Sequence, residues 1–195
     1  MNTSNPYSGE RRAGTVGMPL PGVELKVTGP DGNSVPQGEI GVIEVRGPNV
    51  FKGYWQMPEK TAAELRADGW FITGDLGQID ADGYVSIVGR GKDLIISGGF
   101  NIYPKEIELV LDEQPGVLES AVIGVPHPDF GETVVGVLVA DSDDLDTANV
   151  ESAVAESLAR FKHPRKLIVL DSLPRNAMGK VQKNALREQY KDLFS

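Results

Sequence analysis

The chain has 195 residues, 40% of them hydrophobic, with a formal net charge of −9 and no cysteine. That is apolar material for one large domain or two small cores; it excludes a disulfide framework, a thiolate nucleophile and a zinc–cysteine site, and the acidic balance argues against nucleic acid as a partner. No stretch approaches the roughly 20 apolar residues of a membrane span, and Met1 to Leu20 holds no apolar run of signal-peptide length, so a cytoplasmic location is the default expectation.

The opening, MNTSNPYSGERR, is polar, turn-rich and aperiodic, unlike the natural start of a domain. From Thr15 to Tyr54, glycine and proline breaks separate short β-prone runs such as Val23 to Val27 and Ile40 to Val45. In the second run β-branched enrichment is a better guide than period, and the region is expected to form a small barrel-like or sandwich unit. Pro58 to Asp68 predicts one short helix, with a proline near its start and Ala62, Leu65 and Arg66 at helical spacing. Gly69 to Gly77, GWFITGDLG, is an aromatic strand running into a Thr-Gly-Asp turn; Asp80 to Gly83 is a hairpin turn and Tyr84 to Val88 the return strand. This leaves Asp75 at a strand end, where a carboxylate projects into a cleft.

Gly89 and Gly91 flank Arg90, and residues without a Cβ let the backbone pivot there. Leu94 to Ile96, a Ser-Gly-Gly turn and Phe100 to Tyr103 then predict a hairpin, so the stretch reads as a hinge followed by a mobile hairpin. Pro104 to Gln114 is an amphipathic helix with Ile107, Val110 and Leu111 on one face, ended by Pro115-Gly116. Val117 to Val125 and Thr133 to Ala140 are strands. Thr147 or Asn149 caps a helix through Arg160, Lys166 to Leu170 is a last strand and Asn184 to Leu193 a last helix. The expected fold class is α+β: a β-rich, barrel-like subdomain over residues 1–88, a hinge at 89–92, and a compact α+β domain over 93–195.

Charge is unevenly spread. Residues 106–159 hold thirteen Asp or Glu and no Lys or Arg, whereas residues 160–195 hold nine Lys or Arg and three acids. The tail either faces an anion that the rest of the chain would repel or neutralises the acidic stretch beside it.

The familiar phosphate loops fail. Gly89 and Gly91 lack the third glycine of a dinucleotide fingerprint and open a hairpin instead of a helix, and Gly179-Lys180-Val181 has Val where a P-loop needs Ser or Thr. His127 and His163 each precede a proline in loop-like sequence, and no metal ligand is assigned. Asp75 is either a turn carboxylate or an acceptor for both vicinal hydroxyls of a sugar. Arg90 is either a surface arginine or a fork-shaped donor near the same sugar. Lys180, in PRNAMGKVQKN, is either solvated or a flexible ammonium delivered to a phosphate as charge shifts.

Four ordered stretches, GEIGVIEVRGPNVFKGYW (Gly38 to Trp55), WFITGD (Trp70 to Asp75), GRGKDLIISGGFNIYPKEIE (Gly89 to Glu108) and LPRNAMGKVQK (Leu173 to Lys183), resemble the later motifs of the adenylate-forming acyl-CoA synthetase superfamily. That resemblance implies a two-step ligase using ATP, Mg2+ and coenzyme A on a small carboxylic acid. It implies that Asp75 binds the ribose hydroxyls with Arg90 beside them, and that Lys180 is the adenylation lysine and so both catalytic and nucleotide-binding. Lys92 falls at the hinge position, and Ser97, Gly98, Gly99 and Phe100 would line the tunnel for the pantetheine thiol, Gly99 being bare so the arm passes close to backbone. MNTSNPY, GGFNIYPKEIE and LPRNAMGKVQKN look most like malonyl-CoA synthetases. The family's upstream phosphate loop and its Thr-Glu motif are not among these residues. The chain therefore looks like a carboxy-terminal third, the end of the large domain plus the lid. It is expected not to adenylate alone, with a lid working in trans on a separate amino-terminal half, or serving a carrier protein, as the rival readings.

Overall fold

The computed structural model describes residues 1–142 and 145–195. They form two compact units, Met1–Lys92 and Asp93–Ser195. Among the described residues no helix is long and apolar enough to cross a membrane.

In the first unit, β1 (Thr3–Ser4) and β2 (Met18–Pro19) make a short ribbon. The main sheet is an antiparallel meander in the order β3 (Glu24–Thr28), β4 (Gly41–Arg46), β5 (Phe71–Ile79), β6 (Val85–Arg90). The α+β class stands, but this sheet is open. Only four strands are present, with β3 and β6 at its two edges, and about eight are needed before a barrel encloses a filled core. Strand β4 is buried on both faces, which explains its weak alternation: Ile43 and Val45 join Val27 and Val85 in the core, while Glu44 lies buried on the opposite side.

Helix α1 (Pro58–Glu64) stops short of the expected Asp68 because Leu65 turns extended and bridges to Phe71, and the Arg66 amide bonds to the Trp70 carbonyl at 2.8 Å. The aperiodic opening is held from outside itself. Arg12 donates to Asp80 at 2.9 Å and to Asp82 at 2.7 Å, its guanidinium lies 4.3 Å over the Tyr84 ring, and the Tyr84 hydroxyl donates to the Glu10 carbonyl. The Asp80 to Gly83 turn forms as expected, with Asp80 Oδ1 accepting from the Asp82 and Tyr84 amides.

The second unit is built on a long antiparallel pair, β9 (Val117–His127) and β10 (Gly131–Ala140). Strand β11 (Lys166–Leu170) runs parallel to β10, and the hairpin β7 (Ile95–Ser97) and β8 (Phe100–Ile102) joins its other end. The valine-rich runs of β9 and β10 are buried on both faces. Val122, Val134 and Leu138 pack under α2 (Pro104–Asp112) and α3 (Thr147–Ser157) with Ile107, Leu111, Val150 and Val154. Ala121, Ile123, Val135 and Val137 pack on the other side against Leu186 of α4 (Lys183–Tyr190). Pro104 opens α2 as expected. The cap of α3 is Asp146 instead of Thr147 or Asn149, since its carboxylate accepts from the Ala148 and Asn149 amides. That helix ends at Ser157, and α4 ends at Tyr190, before the expected Leu193.

Candidate functional site

Each unit carries one group of the expected residues. In the first, Asp75 sits inside β5, not at its end, directly opposite Arg90 in the ladder with β6. On its other side, against β4, the strand bulges. Val42 faces Leu76 and Glu44 faces Ile72, so β5 carries two more residues than β4 across Thr73-Gly74-Asp75. Gly74 supplies the left-handed φ of +74° that the bulge needs. Thr73 locks it, its hydroxyl donating to the Ile43 carbonyl at 2.8 Å and accepting from the Asp75 amide at 3.1 Å. A bulge is invisible until the partner strand is known, and Thr73 was missed for that reason.

Arg90 Nε lies 2.9 Å from Asp75 Oδ1, while Arg90 Nη1 donates to the Thr73 carbonyl at 3.0 Å. The guanidinium is half-exposed; the carboxylate is mostly covered. Burial pushes the Asp75 carboxyl above its ordinary value, with the Arg90 charge pulling against that. A raised folded-state pKa means stability that is present below the unfolded value and lost as pH rises through the folded one, so ionised Asp75 costs stability at neutral pH. Asp75→Asn is expected to raise the melting midpoint of the first unit by a few degrees at pH 7, with the gain shrinking as pH is lowered towards 4. Calorimetry at two pH values checks this, and a destabilised variant would mean that the arginine pair dominates.

Lys92 lies exposed in a 3-10 turn, Gly91–Asp93, at the end of the first unit.

In the second unit, the hairpin turn places Gly98 at φ +55° and Gly99 at φ +83°, the double left-handed geometry of a tight two-residue hairpin. A Cβ on Gly99 would meet nothing within 4 Å, so its side is open space. The hairpin is bonded to the loop before β10 and to β10 itself: the Gly98 amide donates to the Phe130 carbonyl and the Ile96 amide to Glu132 Oε2, each at 3.0 Å. Beside it lies a cleft of about 340 Å³ lined by Ser97, Phe100, Arg160, Phe161, His163 and Arg165 among others. Phe100 stacks on Phe161 at 4.6 Å, and Arg165 lies 4.5 Å over the Phe130 ring. Sequence spacing gave no hint of this cleft, whose walls come from β8, the loop before β10 and the 3-10 turn Arg160–Lys162.

Lys180 is carried on a tight turn. The Asn176 amide donates to the Lys180 carbonyl, the Asn176 side chain accepts from the Met178 and Lys180 amides, and Gly179 takes φ +78°. The backbone is thus tied, while the lysine side chain is exposed. Part of the basic tail neutralises the acidic stretch. Lys162 pairs with Glu106, Arg175 with Glu119 and Lys183 with Glu108, whereas Lys180 has no ion pair among the described residues. No group of three or more His, Cys, Asp or Glu stands together as a metal site among the described residues, so the implied magnesium is assigned to none of them.

Two family models match, that of the AMP-binding enzymes over residues 1–55 and that of the AMP-binding enzyme C-terminal domain over residues 106–180. The chain belongs to the AMP-binding enzymes. An indoleacetate–CoA ligase of Aromatoleum aromaticum is 45% identical over 94% of this chain and 36% of its own length. A malonate–CoA ligase of Arabidopsis thaliana is 40% identical over 96% of this chain and 32% of its own length. ATP-bound MatB from Rhodopseudomonas palustris is 62% identical with a TM-score of 0.92, covering 100% of this chain and 39% of MatB, and apo MatB matches with a TM-score of 0.70 at 63% identity. The chain therefore spans little more than a third of the AMP-binding enzymes it matches. Within this family member, Lys180 closes the C-terminal-domain match, whereas Asp75, Arg90, Lys92 and the 97–100 turn fall between the two matched stretches.

Proposed function

We propose that these residues are the lid-bearing part of a cytoplasmic, ATP-dependent acid–thiol ligase that activates a short carboxylic acid as its adenylate and passes the acyl group to coenzyme A. One observation carries the reading: a chain with both family matches holds a mostly covered carboxylate paired with an arginine on one unit and, on the other, an exposed lysine on a braced turn with no ion pair among the described residues.

In the first step a carboxylate oxygen bonds to the α-phosphorus of ATP and the bond to pyrophosphate breaks. Asp75 accepts the two ribose hydroxyls, for which a two-oxygen acceptor is suited, and Arg90 holds that carboxylate in place. Lys180 brings its ammonium to the phosphate oxygens as charge develops on them. In the second step the thiol sulfur bonds to the acyl carbon, the bond to AMP breaks and the thiol proton passes to solvent. The open side of Gly99 gives the thiol arm its path, and the neighbouring cleft, with Arg160, Arg165 and the Phe100–Phe161 stack, suits the phosphate-bearing nucleotide end of coenzyme A.

Lys92 is the pivot in this scheme. Malonate is the proposed acid. The likeness of MNTSNPY, GGFNIYPKEIE and LPRNAMGKVQKN to malonyl-CoA synthetases suggests it; a malonate–CoA ligase matches at 40% identity, and ligases for indoleacetate and sulfoacetate match at 45% and 43%. The remaining triphosphate cradle, and whatever holds magnesium with ATP, comes from further sequence on the same polypeptide or from a separate amino-terminal half.

A hybrid in which residues 1–195 replace the matching 39% of R. palustris MatB tests the reading. The hybrid is expected to show carboxylate-dependent ATP–pyrophosphate exchange and to form malonyl-CoA, while residues 1–195 alone form no malonyl hydroxamate from ATP and malonate. A folded, ATP-binding hybrid without exchange sinks the proposal. Turnover by the short chain alone would show that the cradle is not needed from elsewhere.

A further inference from the structure

The turn that carries Lys180 has few apolar contacts of its own. Its feet are fixed by buried Leu173 and partly buried Val181, with the Gln182 amide bonded to the Pro174 carbonyl at 2.7 Å, but residues 175–180 between them are exposed. One side chain crosses this gap. Arg175 Nη1 donates to the Gly179 carbonyl at 2.7 Å, and Arg175 Nη2 donates to the carboxylate of Glu119 on β9. The acceptor at 179 is the peptide oxygen immediately before Lys180. A single planar fork thus ties the lysine's own peptide unit to the most buried strand pair of the second unit.

We propose that Arg175 is a positioning residue for the adenylation step: its guanidinium, oriented by Glu119, fixes the peptide of Gly179 and so the direction in which the Lys180 ammonium leaves the turn. The inference rests on the reading of Lys180 given above. Geometry favours this over a mere surface ion pair. Arg175 and Glu119 are both partly exposed, and exposed pairs add little to stability, so the pair's value lies in the second prong, on the carbonyl. A five-donor planar fork can serve a carboxylate and a carbonyl at once; an ammonium is a point charge that holds one geometry less firmly. Misplacing a catalytic group by about 1 Å costs on the order of 100-fold in rate.

The test uses the MatB hybrid carrying the full 195 residues, with the two half-reactions read separately: pyrophosphate exchange for adenylation, and thioester formation from pre-formed malonyl-adenylate. Arg175→Ala is expected to lower the exchange rate about 10- to 100-fold at little changed KM for ATP, to leave thioester formation within about threefold, and to leave the melting midpoint within a few degrees. Arg175→Lys should recover part of the rate. The charge-reversed pair R175E/E119R restores an ion pair but offers no donor from position 175 to the Gly179 carbonyl, and should stay as slow as the alanine variant. Wild-type exchange in Arg175→Ala, an equal fall in both half-reactions, or full recovery in the charge-reversed pair would each overturn the proposal. Lys180→Ala separates the two levels: if it keeps full exchange, the underlying reading of Lys180 fails, whereas an inactive Lys180→Ala beside a fully active Arg175→Ala removes only the role given to the arginine.

Discussion

Lys180→Ala in the hybrid is expected to lower carboxylate-dependent pyrophosphate exchange by about 100- to 1,000-fold, the usual loss when one preorganised charge is removed from where transition-state charge develops. The argument starts from charge. Residues 106–159 are wholly acidic in their ionisable side chains apart from His127, so the cations of the following tail have carboxylates to pair with. Lys162 and Lys183 are drawn into pairs with Glu106 and Glu108 at 2.5 and 2.6 Å. Lys180 is held out of reach of such partners by its turn, through the two bonds of its own amide and carbonyl to Asn176. A lysine kept exposed and unpaired on a stiff backbone has its charge available for an incoming anion. Because that charge matters most as the phosphorus–oxygen bond breaks, kcat should fall much more than KM for ATP rises. Thioester formation from added malonyl-adenylate should be unchanged within about threefold, since the reading gives that step to the 97–100 turn. Lys180→Arg keeps the charge in another shape and should recover only part of the rate. Comparable losses in both half-reactions would mean that the residue supports the unit as a whole and not the first step.

Where local pattern decided the structure, the sequence was readable. The Ser-Gly-Gly turn, the proline opening α2, the valine-rich strands and the Asp80 to Gly83 turn all follow from residue types within a few positions of one another. Misreadings cluster where a distant partner decides. Leu65 leaves a helical pattern because Phe71 offers it a bridge, and Thr73-Gly74-Asp75 bulges because β4 is two residues shorter than β5 there. Whether the barrel-like or sandwich unit closes depends on strand count, a global property, and with four strands the sheet is open. The Arg175–Glu119 contact joins residues 56 apart, and the aromatic cleft is assembled from three separate segments. Of the site, then, sequence could point to Asp75, Arg90, Lys180 and the 97–100 turn, but not to Thr73, Glu119 or Arg175, which hold them.

The largest stability change should come from a residue with no part in the chemistry, Glu44. This carboxylate, 1% exposed, sits on the back of β4, where it accepts from Thr28 at 3.0 Å and Arg66 at 2.7 Å and has Lys26 at 3.3 Å. Burial by itself raises its pKa, but the bonds from Arg66, Thr28 and Lys26 outweigh that and the carboxyl ends below its ordinary value. A depressed carboxylate contributes stability that is present above its unfolded pKa and lost as pH falls through the folded value. Replacing both cations, Lys26→Met with Arg66→Met, leaves burial and one hydroxyl, and the sign reverses: the folded state then prefers the protonated acid, and stability falls as pH rises. Both cations reach Glu44 from a partly exposed rim, so water can approach the carboxylate once they are gone, and the expected cost at pH 7 is about 3 kcal/mol, the lower end for an orphaned buried charge. Urea unfolding of the first unit at pH 4.5 and pH 7, followed by the fluorescence of Trp70 beside Lys26, should show wild type firmer at the higher pH and the double variant firmer at the lower. Adding Glu44→Gln to the double variant should recover most of the loss at pH 7, because a neutral amide has far less to lose on leaving water. If the double variant keeps the wild-type pH slope, Glu44 is reached by water in solution and the ion cluster does not hold this sheet's outer face.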